Sequence, residues 1–337
     1  GAAMGAKNLK AIAVRGTGTV PLFDAPGLVE TAVEWEEQLF PGTEDPTQRT
    51  VAEALQDAGN SRGYYHLFGS HRRVIGKNMT DPEWGAEFAR KYVAACSRWT
   101  VTPQPSYNCK ISCAYDVEIG DGPFAGFTGS KCGGGEPIEG SSAIIGVDDP
   151  GAIVVLNDLY DSLGIEMGQF APMMGAVYEA YNDGLLHQQD TGGLDLTWGN
   201  WESAIELLNQ AVKGEGFGAK LAKGIKAMPE EVGAEIGIVD ELRNRVIDAK
   251  GGGAVMHDHR AAWGAFFDEM TAGYGASTQG RGDDTFRRLD LGYDEVPPGV
   301  ARNLEEALSK VEPVCRTQII KLFWDSLGIC YFGTMGV

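Results

Sequence analysis

The chain has 337 residues, 28 Lys and Arg against 47 Asp and Glu, a formal net charge of −19, and 43% hydrophobic and 22% charged residues. This is a globular composition with length for about two domains at ~150 residues each, and the acid excess argues against nucleic acid or anionic membrane as a partner, since both are met by clustered Lys and Arg. The longest apolar stretches, such as Ile153-Val154-Val155-Leu156, fall far short of the ~20 residues that span a bilayer, which excludes membrane insertion as the expectation.

Taken in chain order, the glycine-rich turn of residues 1–8 feeds an apolar stretch, Leu9–Val14, that reads as a strand. It has neither the charged nor the apolar region of a signal peptide. Six cysteines are too few for a disulfide scaffold, so reduced thiols in the cytoplasm are expected. Asp24-Ala25-Pro26 has the form of a helix start, and Val29, Val33, Trp35 and Phe40 recur at roughly helical spacing behind it. Asp81-Pro82-Glu83 opens a second helix with Trp84, Phe88, Tyr92, Val93 and Cys96 on one side, which makes Cys96 a core residue rather than a ligand. From Ser106 to Ser142 the pattern dissolves into Gly, Pro, Cys and short apolar pieces, about 35 residues of loop and short strand, a length that usually marks function. Helices resume from Pro150 to Gly164, from Asn200 to about Lys213, and over Pro229–Ile247, Asn303–Val311 and Arg316–Leu327. The expected class is mainly α.

One short repeat needs more than secondary structure to explain it. Asp161-Ser162-Leu163-Gly164-Ile165 recurs unchanged as Asp325-Ser326-Leu327-Gly328-Ile329, followed by Glu166 in the first copy and Cys330 in the second. A helix stop accounts for the glycine but not for the aspartate. A carboxylate there can accept hydrogen bonds from the amino groups of a heterocycle, and glycine lets a flat ring approach the backbone. Cys109 and Cys113 form a C-x3-C pair, which by spacing alone suits a structural or free-thiol role before a metal cluster. Cys132 precedes Gly133-Gly134-Gly135-Glu136-Pro137-Ile138-Glu139-Gly140. A glutamate buried beside a metal centre acts as a general base, whereas Glu beside Gly is more often a solvated loop carboxylate. An isolated Cys132 most often packs, although a thiolate on such a loop also suits a soft or high-valent metal.

The segment Gly1-Ala2-Ala3-Met4-Gly5-Ala6-Lys7-Asn8-Leu9-Lys10-Ala11-Ile12 resembles the G-A-V-M-G-S-K-N-L-K-A-I segment of the tungsten-pterin enzymes of the aldehyde:ferredoxin oxidoreductase family. The paired Asp161…Glu166 and Asp325…Cys330 resemble that family's two D-x-x-G-L-(D/C) pterin motifs, and Trp198-Gly199-Asn200, Glu215-Gly216-Phe217-Gly218 and His257-Asp258-His259-Arg260 are weaker echoes in the same order. The resemblance implies two helical lobes enclosing a bis-pterin metal cofactor, with short strands at the start and around the cysteine loop, and with the family's N-terminal β domain absent. Residues 1–20 would be the end of that pterin-binding domain, 21–165 helical domain 2 with the cysteine loop, and 166–337 a truncated helical domain 3. It implies that Gly5, Lys7 and Asn8 and the two turns (Asp161, Gly164, Ile165 and Glu166; Asp325, Gly328 and Ile329) bind a tungsten or molybdenum bis-pterin whose phosphates Mg2+ bridges. It further implies that Cys109, Cys113 and Cys330 hold a [4Fe–4S] cluster. Ser106 stands where the family has its first cluster cysteine, so either Ser106 or Cys132 supplies the fourth contact or the cluster is altered or missing, and Cys132 is also a candidate tungsten ligand.

Glu136 and Glu139 occupy the place of the family's E-Y-E element, with a spacing that differs by one, and are candidate catalytic carboxylates. Arg281-Gly282-Asp283-Asp284-Thr285-Phe286-Arg287 resembles R-G-x-D-H-x-R with Thr285 in place of His; if that His transfers protons, its loss counts against a standard aldehyde oxidase unless His257 or His259 substitutes for it. The implied activity is oxidation of an aldehyde to a carboxylic acid, with electrons passing through the cluster to ferredoxin or an iron–sulfur electron-transfer subunit, in a cytoplasmic homodimer or hetero-oligomer. Cys132, the carboxylate spacing and Thr285 would equally suit a dearomatising aryl-CoA (benzoyl-CoA) reductase subunit. Ser106 and Thr285 would suit a non-catalytic helical binding module.

Overall fold

The computed structural model describes residues 2–42, 52–53, 74–107, 109–132, 135–249, 251–253, 256–258 and 311–330. His259, the segment 281–287 with Thr285, and the expected helix over 303–311, except Val311, lie outside the described residues.

The described chain is mainly helical, and one local device starts three of its helices. Asp24, Asp81 and Asp149 each accept a hydrogen bond from a backbone N–H of the first turn (Gly27, 3.0 Å; Trp84, 3.0 Å; Ala152, 2.8 Å), and each helix has a proline in that turn, where no N–H is needed. These helices are α2 (Ala25–Leu39), α3 (Pro82–Cys96) and α5 (Pro150–Leu163), with α1 (Ala2–Gly5) before them and the short α4 (Gly135–Ser141) ahead of α5. Between α3 and α4 runs an antiparallel sheet in the order β1 (Thr100–Pro103), β2 (Ala114–Glu118), β3 (Thr128–Cys132). After α5 come α6 (Met167–Asn182), α7 (Trp201–Lys213), α8 (Gly216–Leu221), α9 (Met228–Gly233) and α10 (Val239–Arg243), a two-residue hairpin β4–β5 (Asp248–Ala249, Gly252–Gly253), and α11 (Val311–Leu327).

Helix α5 is buried on two sides and joins two cores. Ile153 and Val154 pack with Phe88, Tyr92 and Cys96 of α3 and with Tyr115 and Val117 of β2. Ala152, Leu156 and Tyr160 belong to a larger core with α6, α7 and α8, which takes residues from both sides of residue 165. Cys96 is a core residue, as its helical spacing predicts. Among the described residues no helix is long and apolar enough to cross a membrane.

Four expectations change. Residues 9–14 form no strand: Ile12 and Val14 are 72% and 88% exposed, and a strand needs a neighbour for its N–H and C=O groups. The segment Gly135–Ser141, expected as loop, is helix, and Ile138, Glu139 and Ser141 on it are buried. The single helix expected over Pro229–Ile247 is two, α9 and α10, broken where Gly237 takes φ +75° and donates back to the Gly233 carbonyl. Helix α6 is an addition. Most of its residues are buried, so it lacks the polar face that betrays a surface helix, and Pro172 within it reads as a breaker.

Candidate active site

Helix α4 gives the site its two carboxylates. Glu136 and Glu139 are three residues apart, one helical turn, and therefore project from the same side. The hairpin β4–β5 returns the chain to that side and delivers His257. Its Nδ1 lies 2.9 Å from Glu139 Oε1 and its Nε2 3.3 Å from Glu136 Oε1. The second Glu139 oxygen, Oε2, accepts the Ile75 N–H at 3.1 Å. His257 and Glu139 are fully buried, while the Glu136 side chain keeps 27% of its exposure and is the outward end of the group.

Burial works against a charged His257 ring, but the facing Glu139 and Glu136 carboxylates outweigh it and hold the ring at about 9. Burial pushes the Glu139 carboxyl up; the His257 charge and hydrogen bond and the Ile75 N–H restrain that rise. The His257 ring is therefore an imidazolium at neutral pH, with Glu139 on its buried side and Glu136 on its more exposed side. The solvated-carboxylate reading does not hold for Glu139, because packing closes over it and the His257 ring.

Small residues make this packing possible. A Cβ on Gly140 would come within 2.7 Å of Met167 Sδ and 2.8 Å of Met256 Cγ, and one on Gly253 would collide with the Gly168 carbonyl oxygen. The first turn of α6, which follows Asp161-Ser162-Leu163-Gly164-Ile165, therefore touches both the helix that carries the glutamates and the hairpin that precedes His257.

The two D-S-L-G-I copies close in the same way. Gly164 has φ +70° and Gly328 φ +73°, a left-handed conformation suited to glycine. The Gly164 N–H donates to the Asp161 carbonyl at 3.1 Å and the Ile165 N–H to the Tyr160 carbonyl at 3.0 Å; Gly328 and Ile329 repeat these bonds to Asp325 and Trp324 at 3.1 and 3.0 Å. No atom lies within 4 Å of where a Cβ would sit on either glycine, and both aspartates are exposed. Desolvation and neighbouring Asp158 raise the Asp161 carboxyl. The open glycine face with an acceptor carboxylate beside it fits a flat ring bearing amino groups. Glu166 caps α6, accepting the Gly168 N–H at 2.9 Å. Gly5, Lys7 and Asn8 lie on an exposed turn with Asn8 at φ +52°.

The cysteines behave differently. Cys109 and Cys113 are half-buried, with Cys109 Sγ donating to the Ile111 carbonyl at 3.3 Å, and Cys330 is exposed beyond α11. Cys132 ends β3, where its backbone pairs with Ala114. Among the described residues no three His, Cys, Asp or Glu side chains converge on a point that could hold a metal.

A feature that sequence reasoning missed lies next to Ile75. Lys77, Asn78 and Met79 have φ of +48°, +53° and +64°, three successive non-glycine residues in the left-handed region, at a cost of about 1–2 kcal/mol each. Only Asn78 belongs to a residue type that tolerates this conformation, so no residue pattern signals the turn.

The profile of the family described as aldehyde ferredoxin oxidoreductase, domains 2 & 3, matches residues 46–337. The chain belongs to this family. The chain is 26% identical to the tungsten-containing aldehyde ferredoxin oxidoreductase of Pyrococcus furiosus over 350 aligned residues, covering 100% of this chain and 52% of that protein. Its identity to the Pyrococcus horikoshii enzyme of the same name is 25%, with the same coverage. An aliphatic sulfonate oxidoreductase, WOR-like subunit, of Pyrococcus furiosus is 26% identical over 225 residues, 66% of this chain and 34% of that protein. The chain thus spans about half the length of the curated aldehyde ferredoxin oxidoreductases it matches. The family is one of tungsten oxidoreductases.

Proposed function

We propose that this chain forms part of a tungsten bis-pterin oxidoreductase that converts an aldehyde and water to a carboxylic acid and passes two electrons to ferredoxin. The observation that carries the reading is the Glu136–His257–Glu139 group, assembled in a chain whose relatives are tungsten-containing oxidoreductases. When bound, the tungsten bis-pterin supplies the two-electron redox chemistry.

The chain's own residues bind and move protons. Asp161 and Asp325 would accept hydrogen bonds from the amino groups of the pterins, and the open Gly164 and Gly328 turns would leave room for their rings. Glu136, the outward carboxylate, takes the proton released as water adds to the aldehyde carbon. The His257 imidazolium at 3.3 Å holds Glu136 in place, and Glu139 fixes the ring orientation from behind, the division of labour found wherever a buried carboxylate orients a histidine.

Anaerobic production of the full chain with tungstate, followed by metal analysis and aldehyde-dependent reduction of a viologen dye, tests this reading. Bound tungsten with aldehyde turnover, lost in Glu136→Gln, is the expected result. Absence of both tungsten and molybdenum overturns it, and turnover of benzoyl-CoA instead of aldehydes overturns the substrate assignment.

A further inference from the structure

The left-handed turn at Lys77–Met79 costs conformational energy and is held from several directions. The Lys77 and Asn78 N–H groups donate to the Ala143 and Ile144 carbonyls at 2.9 and 2.8 Å, just beyond the end of α4. The Asn78 amide nitrogen donates to Glu179 Oε2 on α6 at 2.6 Å and to the Arg245 carbonyl at 2.8 Å. Arg245 in turn pairs with Glu179 at 3.3 Å and with Asp183 at 2.6 Å. Helix α6 is cut away to receive the side chain: a Cβ on Gly175 would collide with the Asn78 amide oxygen and reach within 2.8 Å of Ile144. Asn78 is 6% exposed. On the other side of the same turn, Gly85 packs on Val74, and buried Ile75 presents its N–H to Glu139 Oε2.

Strain retained by so many partners is a sign of positioning. We propose that Asn78 is a positioning residue of the acid–imidazole group: by pinning the left-handed turn to α6 and to the Arg245 carbonyl, it holds the Ile75 N–H on Glu139, so that the other carboxylate oxygen is left for His257. Its role in turnover rests on the function proposed above; its action on Glu139 does not.

The mechanism is one of hydrogen-bond supply. Burial disfavours a charged Glu139, and the His257 and Ile75 donors counter that. A relaxed turn withdraws the second donor, which favours the protonated carboxyl and weakens the nearer of the two charges facing His257. Glu136 on α4 remains as the other charge facing the ring.

The test is titration of His257 in the metal-free full chain, read by NMR of 13C-labelled imidazole carbons and assigned by loss of the signal in His257→Gln. Asn78→Ala and Gly175→Ala are each expected to weaken proton binding by His257 at least tenfold while the circular dichroism spectrum is retained. A lower melting temperature with an unmoved His257 titration means that Asn78 acts only on stability, and overturns the proposal. Should Asn78→Ala fail to fold, Glu179→Ala, which removes the Asn78 acceptor from a partly exposed position, carries the same expectation and the same contrary result. Because no metal or substrate enters this measurement, a chain that binds no tungsten but shows the shift would refute the proposed function and leave the positioning role standing.

Discussion

The acid–imidazole group and the two D-S-L-G-I turns are held by opposite means. The turns are local: each closes within six residues through two backbone hydrogen bonds, and each would form wherever its helix forms. The group draws Glu136 and Glu139 from α4, His257 from 118 residues after Glu139, beyond the β4–β5 hairpin, and the Ile75 N–H from 64 residues before it, so it exists only when the core is packed. A local device tolerates changes elsewhere, whereas an assembled one concentrates the cost of a fault.

The largest expected effect therefore falls on the group. Glu139→Gln leaves the buried ring without its nearer counter-charge, and breaking such a pair costs about 3–5 kcal/mol, measurable as a lowered urea midpoint at pH 7. Next comes pH. His257 is raised from 6.5 to about 9, so its stabilising contribution is fully present below pH 6.5 and is lost as pH rises through about 9. Burial of Glu139 raises its carboxyl, which also lowers stability as pH rises through its titration. Unfolding midpoints should decline between pH 6.5 and 9, and Glu139→Gln should flatten that decline.

The turns should give smaller effects that differ between the copies. Gly164→Ala forces a Cβ into the left-handed region at a cost of about 1–3 kcal/mol, and the strain falls on a helix end whose Tyr160 and Ile165 pack in the larger core. Gly328→Ala carries the same local strain, but Ile319, Phe323 and Leu327 on α11 are 69%, 62% and 59% exposed. It should move the global unfolding midpoint less than Gly164→Ala does. Equal losses would show that α11 is as firmly tied to the core as α5.

This contrast also explains what could be read from the residues. The helix starts at Asp24, Asp81 and Asp149, the stops at Gly164 and about Lys213 and the burial of Cys96 depend on neighbours close in sequence, and they were legible. Glu136 and Glu139 could be singled out by residue type and His257 as a spare histidine. Their i, i+3 spacing is a helical signal that the flanking glycines concealed. Nothing local marks the ring as buried between them. Helix α6 was hidden by its own burial, and the turn at Lys77–Met79 by residues that disfavour the conformation they adopt. The thiols Cys109, Cys113 and Cys330 were singled out by a motif alone, and among the described residues no three His, Cys, Asp or Glu side chains are grouped to hold a metal ion.

The most direct test of the account is the protonation state of His257 in the unaltered full chain, followed by NMR of its ring carbons from pH 5 to 10. The expected result is an imidazolium throughout the neutral range that titrates at about 9 and falls toward the ordinary histidine range in Glu139→Gln. A ring that is already neutral at pH 7 in the unaltered chain would contradict it.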